Sequence, residues 1–336
     1  MKVAVVFGGT STEREVSIAS AVEVIRALRE LGHEVIAVDS ARGRLSLEEE
    51  GRLALPSSAP AAIQDQPDST QLEALRQTRS EVNLSSAVLD CDLVFLALHG
   101  GSGENGQIQA LLELAQVPFT GSGSTASGLA MDKELSKRVA RSAGILTPDW
   151  LTGPVDADQV GDRLGWPVVV KPDAEGSSVG LSIVDGPEGL PAAIAEAATY
   201  GQVIVERFVT GREFTVSVLG HSALPVGEIV KPEGKVFDYA SKYQNDGVQE
   251  VFPARISGDL ARGLQEAAET IHRVFKLRGY SRSDFIVDRE GRIWFMEANT
   301  LPGLTRSSLL PKAAAAAGIS FDDLCERICR LALPED

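Results

Sequence analysis

The chain has 336 residues, 43% of them hydrophobic and 24% charged, with a formal net charge of −15. That length exceeds what a single core holds and predicts two or three domains. The acidic balance excludes nucleic acid as the main partner, since a phosphate backbone needs a basic footprint, but a few local lysines still suffice for one small anion.

The opening "MKVAVVFGG" is too short for a signal-peptide core and runs directly into a buried strand. No run reaches the ~18 apolar residues of a spanning helix. "SIASAVEVIRALRELG" reads as a helix ending at Gly32, and "HEVIAVDS" as the next strand. This βαβ opening predicts an open parallel sheet. Residues 41 to about 86 read as a loop-rich insertion with a short helix. "CDLVFLALHGG" is a further buried strand, "GQIQALLELAQ" a helix and "VPFTGSGS" a short strand and turn, which closes an N-terminal α/β domain over 1–121. A helix, "SGLAMDKELSKRVARSAGI", opens a small α+β unit over 122–206. Its strands are "WPVVVKP", "LSIV" and "QVIVERFV", with the helix "GPEGLPAAIAEAATYG" between the last two. Residues 207–336 are sheet-like: two strands, a polar loop at about 231–253, a long helix, then "YSRSDFIVD" and "RIWFMEAN" around a turn. "DDLCERICRLAL" is a closing helix. Three cysteines, Cys91, Cys325 and Cys329, have no zinc-type spacing and favour a reducing, cytoplasmic setting. Cys325 and Cys329 read as core neighbours.

Gly101-x-Gly103-x-x-Gly106 follows a strand and opens a helix, as a dinucleotide fingerprint would. No acidic residue follows at the end of the next strand to hold a ribose, so a turn that lets the helix pack explains it better. His99 and Glu104 lie where strand ends carry ligands. Thr12-x-x-Glu15 fits a capping box; alternatively, Glu15 faces a cleft and binds a cation. Lys171 follows three valines, so its stem is packed and its ammonium needs an anion. The adjoining "EGSSVG" offers N–H groups and hydroxyls suited to phosphate oxygens; an ordinary hairpin with a surface lysine is the plain alternative. With Asp288 opposite Gly291, Asp284 falls near Phe295 and Arg282 near Glu297. Arg282, Asp284, Glu297 and Asn299 then share one sheet face with Ile293 and Phe295. A surface salt-bridge cluster is possible there, but carboxylates and an amide beside apolar neighbours suit Mg²⁺. Gly303, in "TLPGLTRSS", can bring an N–H to an oxyanion. A lysine-lined phosphate site, a magnesium face and an oxyanion site describe phosphoryl transfer to a carboxylate better than hydride transfer.

Eight motifs in order carry a family resemblance: "GGTSTEREVS", "LHGGSGENGQIQ", "GSGSTASGLAMDK", "VVVKPDAEGSSVG", "VERFVTGREFTV", "FDYASKY", "SRSDF" and "EANTLPGLTRSSLLP". Over essentially its whole length the chain resembles the D-alanine–D-alanine ligases of the ATP-grasp superfamily. The resemblance implies three domains with ATP held between the central and C-terminal ones. It implies that Glu15 holds the ammonium of the first D-alanine, with His99 and Glu104 nearby. Lys133 and Lys171 would bind ATP phosphates; Glu206, Arg207 and Val209 would lie along the adenine, and Glu213 would hold the ribose. Asp284, Glu297 and Asn299 would bind Mg²⁺ or Mn²⁺, two ions in all. Arg282 and the Gly303 N–H would form the oxyanion hole, and Lys242 would span a phosphate and the second substrate's carboxylate, with Ser308 beside it. Ser177 and Tyr243 would join Glu15 in a triad under a closing loop. The implied reaction is ligation of two D-alanines through an acyl phosphate for peptidoglycan precursors, in a cytoplasmic homodimer with no membrane partner. Ser281, Ser283 and Arg306 depart from the family pattern, and Arg306 could reach the second-substrate pocket or point to solvent. Tyr243 favours an amine over D-lactate as the second substrate. Competing expectations are an ATP-grasp ligase for another pair, a nucleotide-binding regulator without turnover, and a dinucleotide dehydrogenase.

Overall fold

The computed structural model describes residues 1–53, 88, 90–176, 178–231 and 248–333. The expected Ser177, Lys242 and Tyr243, residues 232–247 of the expected closing loop and most of the 41–86 insertion lie outside the described residues.

The first sheet holds β1 (Lys2–Phe7), β2 (Glu34–Asp39), β3 (Gly43–Arg44) and β4 (Leu93–Leu96), in the order β3-β2-β1-β4. β1 pairs parallel with both β2 and β4, as the sequence predicts, while the two-residue β3 joins the edge antiparallel to β2. Val3 to Phe7 are all buried, because a parallel strand covered on both faces reads as a continuous apolar run. β2 and β4 flank β1, so the strand order reverses there. The loops that leave the C-terminal ends of β1 and β4 therefore meet at a crevice. The helix Arg14–Glu30 follows β1; Gly32, at φ 84°, takes the left-handed turn that ends it.

The second sheet is antiparallel: β5 (Trp150–Thr152), β6 (Val168–Pro172), β7 (Ser182–Val184) and β8 (Val203–Arg207), in the order β5-β8-β6-β7. Val168, Val170, Val184 and Val205 face a core with Leu190 and Val160. Val160 lies on a helix, Ala157–Arg163, that the sequence reading did not predict. Val169 stands opposite Glu206 on one side and Ile183 on the other, so these residues share the second face.

The third sheet holds β9 (Arg212–Leu219), β10 (Ser222–Ala223), β11 (Gly227–Val230), β12 (Gln249–Val251), β13 (Tyr280–Val287) and β14 (Ile293–Asn299). Its order is β12-β11-β9-β13-β14, with β10 on β9. The helix Gly258–Val274 covers one face, packing Leu264, Ala268 and Ile271 on Phe214, Val216, Phe285 and Phe295.

Two packing arrangements were not legible in the sequence. The single helix expected over 127–145 is two helices, Ser124–Met131 and Lys133–Ser142. Asp132 between them is extended and accepts the Leu135 N–H at 2.8 Å, so it caps the second helix. Ala126, Ala130 and Ala140 of this pair pack on the third sheet. The final helices, Leu309–Ala316 and Phe321–Leu331, return to the first sheet, where Leu310, Leu324, Cys325 and Cys329 join Val24 and Leu28 in one core. Cys325 and Cys329 are free thiols, and burial pushes Cys329 up to about 12. Among the described residues no helix is long and apolar enough to cross a membrane.

Candidate active site

Between the second and third sheets lies a cleft of about 180 Å³ that opens to solvent. Val169, Lys171, Leu181, Ile183 and Glu206 line one wall, and Glu213, Asp284, Ile286, Met296 and Glu297 the other. Arg207, Phe208 and Val209 form its edge.

Lys171 ends β6 and is buried as its valine run predicts. Its anionic partner is Glu206, with Lys171 Nζ 2.9 Å from Oε2. Glu206 is 1% exposed. A second lysine, Lys137, approaches Oε1 at 3.1 Å. Burial pushes the Glu206 carboxyl up, but Lys137 and Lys171 together outweigh it and hold it at about 2. The Glu206 side chain is therefore committed to two lysines. Lys133 Nζ donates to the carbonyls of Glu175 (2.6 Å) and Asp173 (3.3 Å), which pins the loop after Lys171. Burial lowers the Lys133 pKa, Glu297 opposes that, and Lys171 adds to it, so Lys133 sits between the two walls. In the same loop Ser178 is left-handed at φ 59°, a conformation that costs a non-glycine residue energy. Glu213 is ion-paired with Lys231 at the far end of the cleft.

The strand pair β13–β14 corrects the expected register. The hairpin is one residue longer, so Val287 pairs with Ile293 and Phe285 with Phe295. Phe295 therefore faces the core, not the face of Asp284. A β-bulge at Met296 then restores the alternation, placing Asp284 opposite Glu297 and Arg282 opposite Asn299. The expected four residues do share the cleft side, because the two one-residue shifts add up to two, one full period of side-chain alternation. Asp284 accepts bonds from Thr215 Oγ1 (2.7 Å), Arg282 Nε (3.0 Å) and Arg282 NH2 (2.9 Å). Asn299 Nδ2 lies 3.4 Å from Asp284 Oδ2.

At the crevice of the first sheet the structure corrects a second expectation. Glu13, not Glu15, carries the carboxylate that faces the cluster. A Cβ on Gly100 or Gly176 would stand 2.7 or 3.1 Å from Glu13 Oε2. Glu15 lies in the first turn of the helix, and among the described contacts nothing joins it to His99 or Glu104. The capping box is also absent, since the cap position is Glu13 and makes no side-chain cap bond. Arg14, between the two glutamates, is buried and ion-paired with Asp39, which fixes which glutamate turns inward. His99 contacts Ser20 Oγ at 3.1 Å; burial lowers its pKa and Glu13 opposes this. Glu104 accepts the Gly100 N–H at 2.7 Å. Burial and the nearby Glu13 raise its pKa to about 8. Gly303 lies against Ser308, whose Oγ accepts the Thr305 N–H at 3.2 Å.

The departures are resolved by position. Ser281 and Ser283 are buried on the core side of β13, and Ser281 bonds His272 Nδ1 at 2.7 Å. The Arg306 backbone N–H donates to Glu23, its guanidinium pairs with Asp322 at 2.9 Å, and it stacks over Phe321, so it points away from the cleft. In the Gly101–Gly106 motif, Gly106 is at φ 92° and a Cβ there would collide with the Ser124 carbonyl. Its role is close helix packing, as the plainer reading held.

Two family models match the chain: "D-ala D-ala ligase N-terminus" over residues 2–122 and "D-ala D-ala ligase C-terminus" over 139–330. The chain belongs to the D-alanine–D-alanine ligase family. A D-alanine–D-alanine ligase of Anaeromyxobacter dehalogenans is 42% identical over 332 residues, 97% of this chain and 95% of that one. Among solved structures, the VanG D-Ala:D-Ser ligase of Enterococcus faecalis superposes with a TM-score of 0.80 at 30% identity, covering 99% of each chain. The D-alanine–D-alanine ligase of Bacillus anthracis complexed with ATP gives 0.75 at 28% identity, over 99% of this chain and 97% of that one. Both solved structures therefore share this chain's fold over 99% of its length.

The sequence reading missed Glu13, Lys137 and Thr215. Lys137 had a signal: it lies four residues after Lys133, on the same helix face. Thr215 sits directly opposite Asp284 on β9, a pairing that needs the sheet order. For Glu13 versus Glu15 the motif alone contained no discriminating signal.

Proposed function

We propose that this chain is an ATP-dependent ligase that joins two D-alanines into D-alanyl-D-alanine, the reaction its relatives are named for, in peptidoglycan precursor synthesis. The observation that carries the reading is the cleft itself: Lys171 on one wall faces Asp284 and Glu297 on the other. A phosphate chain entering there meets the Lys171 ammonium from one wall, with Lys133 of the adjoining helix nearby, and a cation-binding face on the other. Arg207 and Val209 edge the adenine end through their backbone, beside Glu206, and Glu213 takes the ribose. Asp284, Glu297 and Asn299 fit Mg²⁺ or Mn²⁺, being hard oxygen donors on one sheet face. One or two such ions would neutralise charge on the transferring phosphoryl group.

The first D-alanine places its ammonium at Glu13, beside His99 and Glu104. Its carboxylate then lies toward Arg282 and the Gly303 N–H. Carboxylate attack on the γ-phosphorus of ATP forms an acyl phosphate as the bond to the β–γ bridging oxygen breaks and ADP becomes the leaving group. The amine of a second D-alanine attacks that carbonyl, and phosphate leaves. Arg282 and the Gly303 N–H stabilise the oxyanion that forms. Ser308 and Lys242 hold the second substrate's carboxylate, and Ser177 with Tyr243 links the closing loop to Glu13 in place of Glu15. The chain works as a cytoplasmic homodimer.

The test is phosphate release with Mg-ATP and D-alanine, alone and with D-serine, D-lactate or L-alanine, with mass analysis of products. D-alanine-dependent phosphate with a D-alanyl-D-alanine product supports the reading. Turnover confined to another pair moves the chain to a different ligase specificity.

A further inference from the structure

Lys137 is fully buried at 0% exposure and does not line the cleft. Its ammonium touches Glu206 Oε1 at 3.1 Å and donates to Thr147 Oγ1 at 2.8 Å. The Trp150 ring lies 5.4 Å from it, and the Arg138 and Arg141 guanidiniums also lie over that ring, at 6.0 and 4.5 Å. On the inner side Glu206 passes the chain of contacts on to Lys171, which does reach the cleft.

Glu206 is shared between two buried ammonium groups, and only one of them, Lys171, lines the cleft. Glu206 spends one oxygen on Lys137 and keeps one for Lys171. Without Lys137, both oxygens could close on Lys171, draw its ammonium back toward β8 and cancel its charge.

We propose that Lys137 is a positioning residue for the nucleotide phosphates: it occupies one oxygen of Glu206 so that Lys171, held by the other, keeps its positive charge directed into the cleft. The proposal rests on the reading that the cleft binds ATP, and it adds a residue that never touches the nucleotide. Burial lowers Lys137 to about 8, with Glu206 opposing, so it still carries its charge at neutral pH.

The test is Lys137→Met, which keeps the stem and removes the charge. KM for ATP and for D-alanine are measured separately, and ADP binding is titrated directly. The expected result is a rise of about tenfold or more in KM for ATP and in the ADP Kd, with KM for D-alanine within about twofold. A folded Lys137→Met protein with unchanged ADP affinity overturns the proposal. So does a fall in kcat with both KM values unchanged, since a merely structural role would lower active fraction without splitting the substrates. Should Lys137→Met not fold, Thr147→Val is read instead. It removes only the second anchor of Lys137, and the expected ADP Kd rises about two- to fivefold; no change there overturns the proposal as well. ADP titration needs no turnover, so a wild-type protein that binds ADP but ignores D-alanine would refute the substrate assignment and leave the Lys137 test standing.

Discussion

Asp284 stands directly opposite Glu297, with Met296 left over as the extra residue of a β-bulge. In an unbulged strand Glu297 would alternate onto the core side with Phe295. The bulge turns it toward the cleft, and Thr215 Oγ1, 2.7 Å from Asp284 Oδ1, orients the other carboxylate. Glu297→Ala or Asp284→Ala is therefore expected to lower turnover by at least about 10³-fold, through loss of the cation that would screen the transferring phosphoryl. Thr215→Val should be milder, raising the Mg²⁺ concentration needed for half-maximal rate by about 10–100-fold. Phosphate release across an Mg²⁺ titration checks both. Wild-type rates in Glu297→Ala would refute the metal face.

The loop that presents Glu13 is anchored by a buried ion pair, Arg14 with Asp39. Arg14 NH1 also donates to the Gly9 carbonyl at 2.7 Å, and Asp39 accepts the Ala41 N–H at 3.0 Å. Removing one partner leaves a buried charge without its counter-ion. Asp39→Ala is expected to cost about 3–5 kcal/mol of stability, read by urea denaturation. A loss below about 1 kcal/mol would mean that water replaces the carboxylate, as at an exposed pair.

How far the sequence carried the reading differs between sites for physical reasons. Lys171 was legible because three valines before it force a packed stem. The face of Arg282, Asp284, Glu297 and Asn299 was reached through a wrong register, since hairpin length and bulge position are tertiary outcomes that alternation does not encode. Glu13 and Glu15 are both glutamates at the entrance to one helix. Only the burial of Arg14 against Asp39, 25 residues apart in sequence, decides which of them faces inward. The return of the last two helices to the first sheet is likewise a long-range packing choice. The four-residue spacing of Cys325 and Cys329 showed that the closing helix buries a face, but not against what.

Arg306 offers a test of exclusion. Its guanidinium lies over Phe321, 4.5 Å from the ring centroid, and bonds Asp322. It thus ties the loop after Gly303 to the last helix at the surface. Arg306→Ala is expected to shift the D-serine to D-alanine preference by less than about twofold, with a small loss of stability typical of an exposed pair. Competition assays with the two amines measure the ratio. A change of an order of magnitude would place Arg306 in the second-substrate pocket after all.

Glu104 links the crevice to pH. Burial, reinforced by Glu13, raises its pKa from 4.5 to about 8. The folded protein therefore keeps a proton that the unfolded chain has already released. Wherever the folded state binds more protons, stability falls as pH rises. The penalty is absent below the ordinary glutamate range, grows from there to about pH 8 and is constant above that. Glu104→Gln removes the titration and keeps an oxygen for the Gly100 N–H. The expected outcome is that the variant and the wild type melt closest together near pH 5, with the variant gaining steadily on the wild type up to about pH 8. Thermal melts of the ligand-free protein across that range are the measurement. Parallel curves would show that Glu104 ionises normally and that the proton at this crevice resides elsewhere.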